Sequence, residues 1–342
     1  MSSKPKVLLL NPPGIEIYIR DYYCSKVSKT NYIYTPVDLL IVSARLKEDA
    51  HVHVIDAIAE QLNDHQVVDK IQKINPDVIV MLISAVSWHE DLAFLKKIRT
   101  FFQGKIIGSG DALMDDPKGA LEEAEFLDAI LLDFTSREIV DFCQGKNGPF
   151  SHIFMMGREM AKKLSSYTYD IPIPQHHLFP HVRYVYPFVR RYPFATVLTD
   201  FGCAFRCTFC IQSTLDFKAR TIENVMEELK YLKTMGFKDI YFSDQTFAHN
   251  ISRAQKLFEV MISKNLNLGW VAFYRTDLVQ EPLLKLMRKS GCHTLMFGIE
   301  TANERLLVDY KKNIKLKTTL EALRLCKKYG IRTVGTIATR LC

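Results

Sequence analysis

The sequence predicts an α/β protein in two parts, an open doubly wound parallel sheet followed by a partial barrel of parallel strands. Three observations carry this expectation. From Lys6 to Cys143 short apolar runs alternate with amphipathic stretches at helical spacing. A second βα series of similar step begins at Ala195 and runs on toward Cys342. Between them, residues 144–193 break the rhythm with Gly148-Pro149, Ile171-Pro-Ile-Pro174, Pro180 and Pro187 and with the aromatics Tyr184, Tyr186, Phe188 and Tyr192. A length of 342 residues suffices for two domains of ordinary size. The boundaries expected are 1–145, a linker at 146–193, and 194–342.

Taken in order, the first part offers five strands: Lys6–Asn11, Val52–Asp56, Asp77–Ser84, Lys105–Gly108 and Ala129–Asp133. Helices are expected at Pro36–Lys47, Val67–Ile74, Glu90–Thr100, Gly119–Ala124 and Arg137–Cys143, the second closed by Asn75-Pro76. In the second part strands are expected at Ala195–Thr199, Lys238–Phe242, Gly269–Phe273, Thr294–Ile299 and Ile331–Ala338. The intervening helices are Ile222–Met235, Ser252–Lys264, Gln280–Lys289 and Lys317–Lys328. The chain stops after this fifth strand, which predicts a truncated barrel with an open sheet edge.

Composition narrows the function classes. An apolar fraction of 48% and a charged fraction of 24% are those of a globular chain. A net charge of +7 suits anionic ligands but is too weak to argue for nucleic acid. The basic pairs Arg190-Arg191 and Lys311-Lys312 are expected on a solvated surface. The apolar run Val7–Leu10 is too short for an export signal, and Val78–Val86 is about half a membrane span. A cytoplasmic protein without membrane insertion is expected. Five of the eight cysteines, Cys24, Cys143, Cys292, Cys326 and Cys342, lie singly, unlike a disulfide framework.

The other three are Cys203, Cys207 and Cys210, spaced C-x3-C-x2-C within Phe201–Cys210. Three thiolates on one short loop can hold three corners of an iron–sulfur cube and leave the fourth iron open. The alternative is structural zinc, which needs a fourth ligand such as Cys292, His293 or His249. Sites in parallel α/β barrels form at the carboxyl ends of the strands. That rule gathers the cysteine loop, Ser243-Asp244, Arg275, Glu300-Thr301 and Gly335-Thr336 at one mouth.

The run Cys203, Cys207, Phe209, Cys210 resembles the signature of the radical S-adenosylmethionine (radical SAM) superfamily, and the resemblance extends from Ala195 onward. It implies a radical SAM barrel of the (βα)6, TIM-like type and a [4Fe–4S] cluster whose open iron chelates the amine and carboxylate of S-adenosylmethionine. Phe209 would then lie beside the adenine. Tyr241–Phe247 resembles the segment that binds the methionyl amine, with Ser243 and with Asp244 as acceptor. Arg275 suits the carboxylate. Phe297–Thr301 resembles the ribose segment, with Glu300 and Thr301. Gly335–Thr339 resembles the adenine-supporting glycine motif, with Thr339 where a second glycine usually stands.

The first part resembles the Rossmann/flavodoxin-like, cobalamin-binding domain of B12-dependent radical SAM enzymes, through Val7–Pro13, Thr35–Leu40 and Val54–Ala57. Asn11, Ser84, Gly108, Ser109 and Gly110 are the residues this implies beside cobalamin. No D-x-H-x-x-G run marks a cobalt ligand, and Phe134 is bulky where close approach is expected. The whole resemblance implies cleavage of S-adenosylmethionine to a 5′-deoxyadenosyl radical and C-methylation of an unactivated carbon. It also implies a reductase or flavodoxin-type electron donor and a small-molecule or peptide substrate. The alternatives are a rearrangement or cyclisation enzyme with a vestigial cobalamin domain, and a non-catalytic protein with structural zinc.

Overall fold

Lys6–Asn11 (β1) is apolar from Val7 to Leu10 and buried from Val7 to Asn11, the run expected of a central parallel strand covered on both faces. A computed structural model, describing residues 4–146, 148–163 and 166–337, places it there. It pairs in parallel with His51–Asp56 (β2) on one side and Val78–Leu82 (β3) on the other. Lys105–Ser109 (β4), Ala129–Leu131 (β5) and Ile153–Phe154 (β6) extend the sheet in the order β2-β1-β3-β4-β5-β6. Only β6 runs antiparallel. The first five strands thus have the 2-1-3-4-5 doubly wound order, with its switch point between β1 and β3.

Leu8, Leu10, Ile79 and Met81 pack one face of this sheet against Val67 and Ile71 of helix α2 (Asp64–Ile74) and Leu95 and Ile98 of α3 (Trp88–Arg99). The helix before them, α1 (Val37–Leu46), has only Arg45 not buried. Helix α2 begins three residues before its first apolar position, because Asn63 and Gln66 form a reciprocal capping box. Pro117–Glu123 (α4) and Glu138–Cys143 (α5) complete the set.

The chain divides into two compact units, Met1–Ser165 with Ile171–Tyr186, and Ser166–Asp170 with Pro187–Cys342. The stretch expected as a linker is therefore mostly part of the first unit: it supplies β6, and Tyr184 donates to Asp56 at 2.9 Å. Its Pro and aromatic content reflects packing on a sheet rather than an extended spacer.

The main sheet of the second unit has five strands among the described residues: Phe194–Val197 (β7), Asp239–Phe242 (β8), Gly269–Tyr274 (β9), Cys292–Glu300 (β10) and Arg332–Ile337 (β11). They pair in sequential order and all in parallel. Alternate residues Val197, Ile240, Phe242 and Trp270 pack against Leu229 of α6 (Ile222–Thr234), Leu257 and Phe258 of α7 (Ile251–Ser263) and Met287 of α8 (Glu281–Lys289). Helix α9 (Leu316–Lys328) leads into β11, whose last three residues are exposed. Ala338 and Thr339, expected at the end of that strand and in its glycine motif, lie outside the described residues.

The basic pairs are only partly a solvated surface: Arg190, Arg191 and Lys311 are exposed, but the first pair is tied to a buried carboxylate. At the amino end of β8, buried Asp239 accepts from the backbone N–H groups of Arg190 and Arg191, from Arg191 Nε and from His293 Nε2, at 2.7–3.1 Å. Burial raises its carboxyl, but these donors win, led by His293, and hold it down at about 2. The amino ends of barrel strands are the stability face. Lys312 is also buried, for a reason that belongs to the opposite face.

Candidate metal centre at the cysteine loop

The loop leaves β7 through Thr199 and Asp200, and its entry is fixed by Asp244 after β8. Asp244 Oδ1 accepts from Thr199 N at 2.6 Å and Asp200 N at 2.8 Å, and Oδ2 accepts from the Thr199 hydroxyl at 2.9 Å. Gly202 follows with φ +75°, and a Cβ there would stand 2.5 Å from Asp216 O, so the turn requires glycine. The next turns close through Cys210 N to Cys207 O and Ser213 N to Cys210 O. Cys203, Cys207 and Cys210 are half-buried and in no disulfide.

Distant segments hold this loop. Thr208 N donates to Tyr310 O at 3.1 Å, and the Phe209 ring meets Tyr310 edge-on at 5.4 Å. The Arg275 guanidinium stacks on Phe205 at 3.7 Å and reaches Cys207 Sγ at 4.0 Å. Thr246 Oγ1 is 3.7 Å from Cys203 Sγ. The strand-end rule thus brings elements after β8 and β9 onto the cysteines. Among the described residues, no three His, Cys, Asp or Glu side chains are gathered closely enough to hold one metal ion. One tetrahedral zinc would need its thiolates about 3.8 Å apart, from Zn–S bonds of about 2.3 Å. An iron–sulfur cube instead takes each thiolate on a separate iron.

The remaining candidates divide. The Ser243 hydroxyl is buried and has no hydrogen-bond partner, an orphan at the carboxyl end of β8 that a bound polar group would satisfy. Asp244, expected to receive an external amine, is buried with both oxygens occupied by the loop entry. Arg275, expected to offer its fork to a carboxylate, already spends it on Asp277, at 3.0 and 2.8 Å, and donates to Lys312 O at 3.1 Å. Glu300 sits at φ +63° where β10 slips register, and Lys312 Nζ is 2.7 Å from its carboxylate. The Thr301 hydroxyl accepts from Asn303 N. Gly335 lies in β11, where a Cβ would meet Ile299 Cδ1 at 2.7 Å. Sequence reasoning missed Lys312, Tyr310, Phe205 and Thr246. A lysine in a KK pair carries no signal of burial, and these contacts close across long chain separations.

Asp244 carries a pH consequence. Burial, then the neighbouring Asp200 carboxylate, pushes its carboxyl up to about 8. The unfolded chain releases that proton near pH 4. Between those values the folded state binds the extra proton, so stability falls as pH rises from about 4 to about 8. Asp244→Asn keeps an oxygen for the two N–H donors and is expected to flatten this slope. Urea midpoints measured from pH 5 to 8 check it, and parallel slopes in the two proteins would refute it.

In the first unit, the strand ends form a closed polar network. Arg20 pairs with Asp91 through Nη2 at 2.6 Å and Nε at 3.2 Å, and donates to Asn11 Oδ1, Pro12 O and Pro13 O. Asn11 Nδ2 donates to Asp56, while Ser84 N donates to Asp91 and its hydroxyl pairs with Ser87. Gly108 abuts Leu113 and Leu127. Ser109 is buried, and its O accepts from Ile83 N. Phe134 meets Tyr22 edge-on and Tyr23 at a tilt, both with ring centroids 5.5 Å apart, and all three are buried. Of the residues expected beside cobalamin, Asn11 and Ser84 are engaged inside the unit, while the buried Ser109 hydroxyl has no hydrogen-bond partner. Gly110, at φ +144° and ψ 170°, is a further case: a Cβ would lie 1.8 Å from Ile83 O. Gly110→Ala is expected to destabilise the unit by about 3 kcal/mol or more, combining strain with a backbone clash, as read by urea unfolding.

Residues 197–339 match the radical SAM superfamily. The chain is 28% identical over 317 residues to an uncharacterised methyltransferase of Pyrococcus horikoshii, covering 88% of this chain and 68% of that protein. Its fold is similar to the radical S-adenosylmethionine methyltransferase TsrM of Kitasatospora setae, solved with cobalamin and a [4Fe–4S] cluster: TM-score 0.75, 17% identity, 98% of this chain and 69% of TsrM. It is similar also to the cobalamin-dependent S-adenosylmethionine radical enzyme OxsB, solved with aqua-cobalamin: TM-score 0.78, 18% identity, 98% of this chain and 49% of OxsB. The chain thus spans about two thirds of the first two proteins and half of the third. No helix among the described residues is long and apolar enough to cross a membrane.

Proposed function

Since its second unit carries a radical SAM domain and both units together have the fold of cobalamin-dependent radical SAM enzymes, we propose that this chain cleaves S-adenosylmethionine at a [4Fe–4S] cluster and methylates an unactivated carbon with cobalamin. The observation that carries the reading is three half-buried thiols on one clamped loop, beside a buried hydroxyl without a partner. Cys203, Cys207 and Cys210 would hold the cluster. Ser243 would meet a polar group of S-adenosylmethionine, and Phe209, 38% exposed, offers a ring face for adenine. Glu300, paired with Lys312 and held in a left-handed backbone, would take the ribose. Asp244 shapes the loop entry rather than receiving the amine.

When bound, the cluster supplies the electron that opens the sulfonium and cobalamin supplies the methyl group. The chain orients S-adenosylmethionine and shields the thiolates. Cobalamin is assigned to the first unit on the strength of its fold and of the relatives' cofactors. Asn11 and Ser84 are held by internal hydrogen bonds and Gly110 closely approaches Ile83 O, while the buried Ser109 hydroxyl has no partner and is left to meet a polar group of the cofactor; no step is given to them. A reductase or flavodoxin-type protein as electron donor, and a small-molecule or peptide substrate, complete the proposal.

Anaerobic reconstitution tests it, with iron, sulfide and cobalt counts and an assay for 5′-deoxyadenosine under a strong reductant. Cleavage with cobalt retained after desalting supports the reading. Cleavage without cobalt favours a rearrangement or cyclisation instead. Purified protein that holds zinc and cleaves nothing overturns it.

A further inference from the structure

The sulfurs of Cys203 and Cys207 each have a side-chain donor beside them, and neither donor comes from the loop itself. Arg275 Nη1 stands 4.0 Å from Cys207 Sγ, and Thr246 Oγ1 stands 3.7 Å from Cys203 Sγ. Both residues are 8% exposed. The Arg275 guanidinium is fixed on three sides: its fork on Asp277, Nη2 on Lys312 O, and its face on Phe205. These restraints hold Nη1, the nitrogen they leave over, beside the sulfur. A metal-bound thiolate has no proton to give, so the Thr246 hydroxyl must then be the donor. The guanidinium adds a positive charge.

Resting on the cluster reading above, we propose that Arg275 and Thr246 are positioning residues that donate to the cluster thiolates of Cys207 and Cys203 and raise the cluster's reduction potential. Hydrogen bonds to sulfur and nearby charge are among the terms that set iron–sulfur potentials. Both donors favour the reduced cluster, which carries one more negative charge. The guanidinium, although partly offset by Asp277, contributes more than the neutral hydroxyl.

The test is an EPR-monitored redox titration of reconstituted wild type, Thr246→Val and Arg275→Leu, with iron and sulfide counted in each. Thr246→Val keeps the shape of the side chain and removes only its donor. Arg275→Leu is expected to lower the ratio of reduced to oxidised cluster about tenfold at a fixed solution potential, a shift of about 59 mV for one electron. Thr246→Val is expected to move the midpoint in the same direction by less. Fully loaded variants with unmoved midpoints overturn the assignment. If Arg275→Leu fails to load, Thr246→Val decides: a lowered midpoint supports the proposal and an unmoved one overturns it. Wild-type protein that takes up no cluster overturns the function reading, and this assignment with it.

Discussion

Cys207→Ser is expected to abolish cluster uptake, taking iron and sulfide from about four each per chain to background after anaerobic reconstitution. With three local ligands, loss of one leaves two, and no other described cysteine is placed to substitute. Burial pushes the Cys143 and Cys326 thiols up to about 12 and Cys292 well above its usual range, so these are inert. Exposed Cys24, in the first unit, is the control: Cys24→Ser is expected to load like wild type. Full loading of Cys207→Ser would remove the loop from the cluster site.

Asp91→Asn is expected to have the largest effect on stability, about 3–5 kcal/mol, because it strands a buried guanidinium. The Arg20 and Asp91 side chains are 1% and 0% exposed, so solvent cannot absorb the loss. Trp88 lies in the same unit, and a Trp270→Phe background leaves it as the sole tryptophan, giving a local fluorescence readout in urea. The double variant Arg20→Met, Asp91→Leu should recover part of the loss, since an apolar pair leaves no charge behind. A midpoint within about 0.5 kcal/mol of wild type in Asp91→Asn would refute the network's structural weight.

What was legible in the sequence follows chain distance. The strands β1 to β5 and β7 to β11 emerge from apolar runs bounded by turn residues, with ends off by a residue or two where fraying and caps decide. The cysteine loop was legible because its three ligands lie within eight residues. The contacts that shape it were not. Arg20 and Asp91 are 71 residues apart, and each alone reads as a solvated charge. Lys312 reads as half of a surface pair until Glu300 is seen beside it. Gly110 was legible as a glycine that something approaches closely, but the approaching group is Ile83 O rather than a ligand. β6 stayed hidden because two residues beside a Pro-rich stretch give no period to read.

The clamp formed by Tyr310 and Lys312 also sets an order of events during synthesis. Thr208 takes its backbone partner about a hundred residues downstream, and Arg275 leans on Lys312 O. At about 5–20 residues per second, the cysteines leave the ribosome roughly 5–20 s before that partner exists. During this interval the three thiols are not yet held by the segment near Tyr310, so the clamp on the loop closes only after that segment has been made.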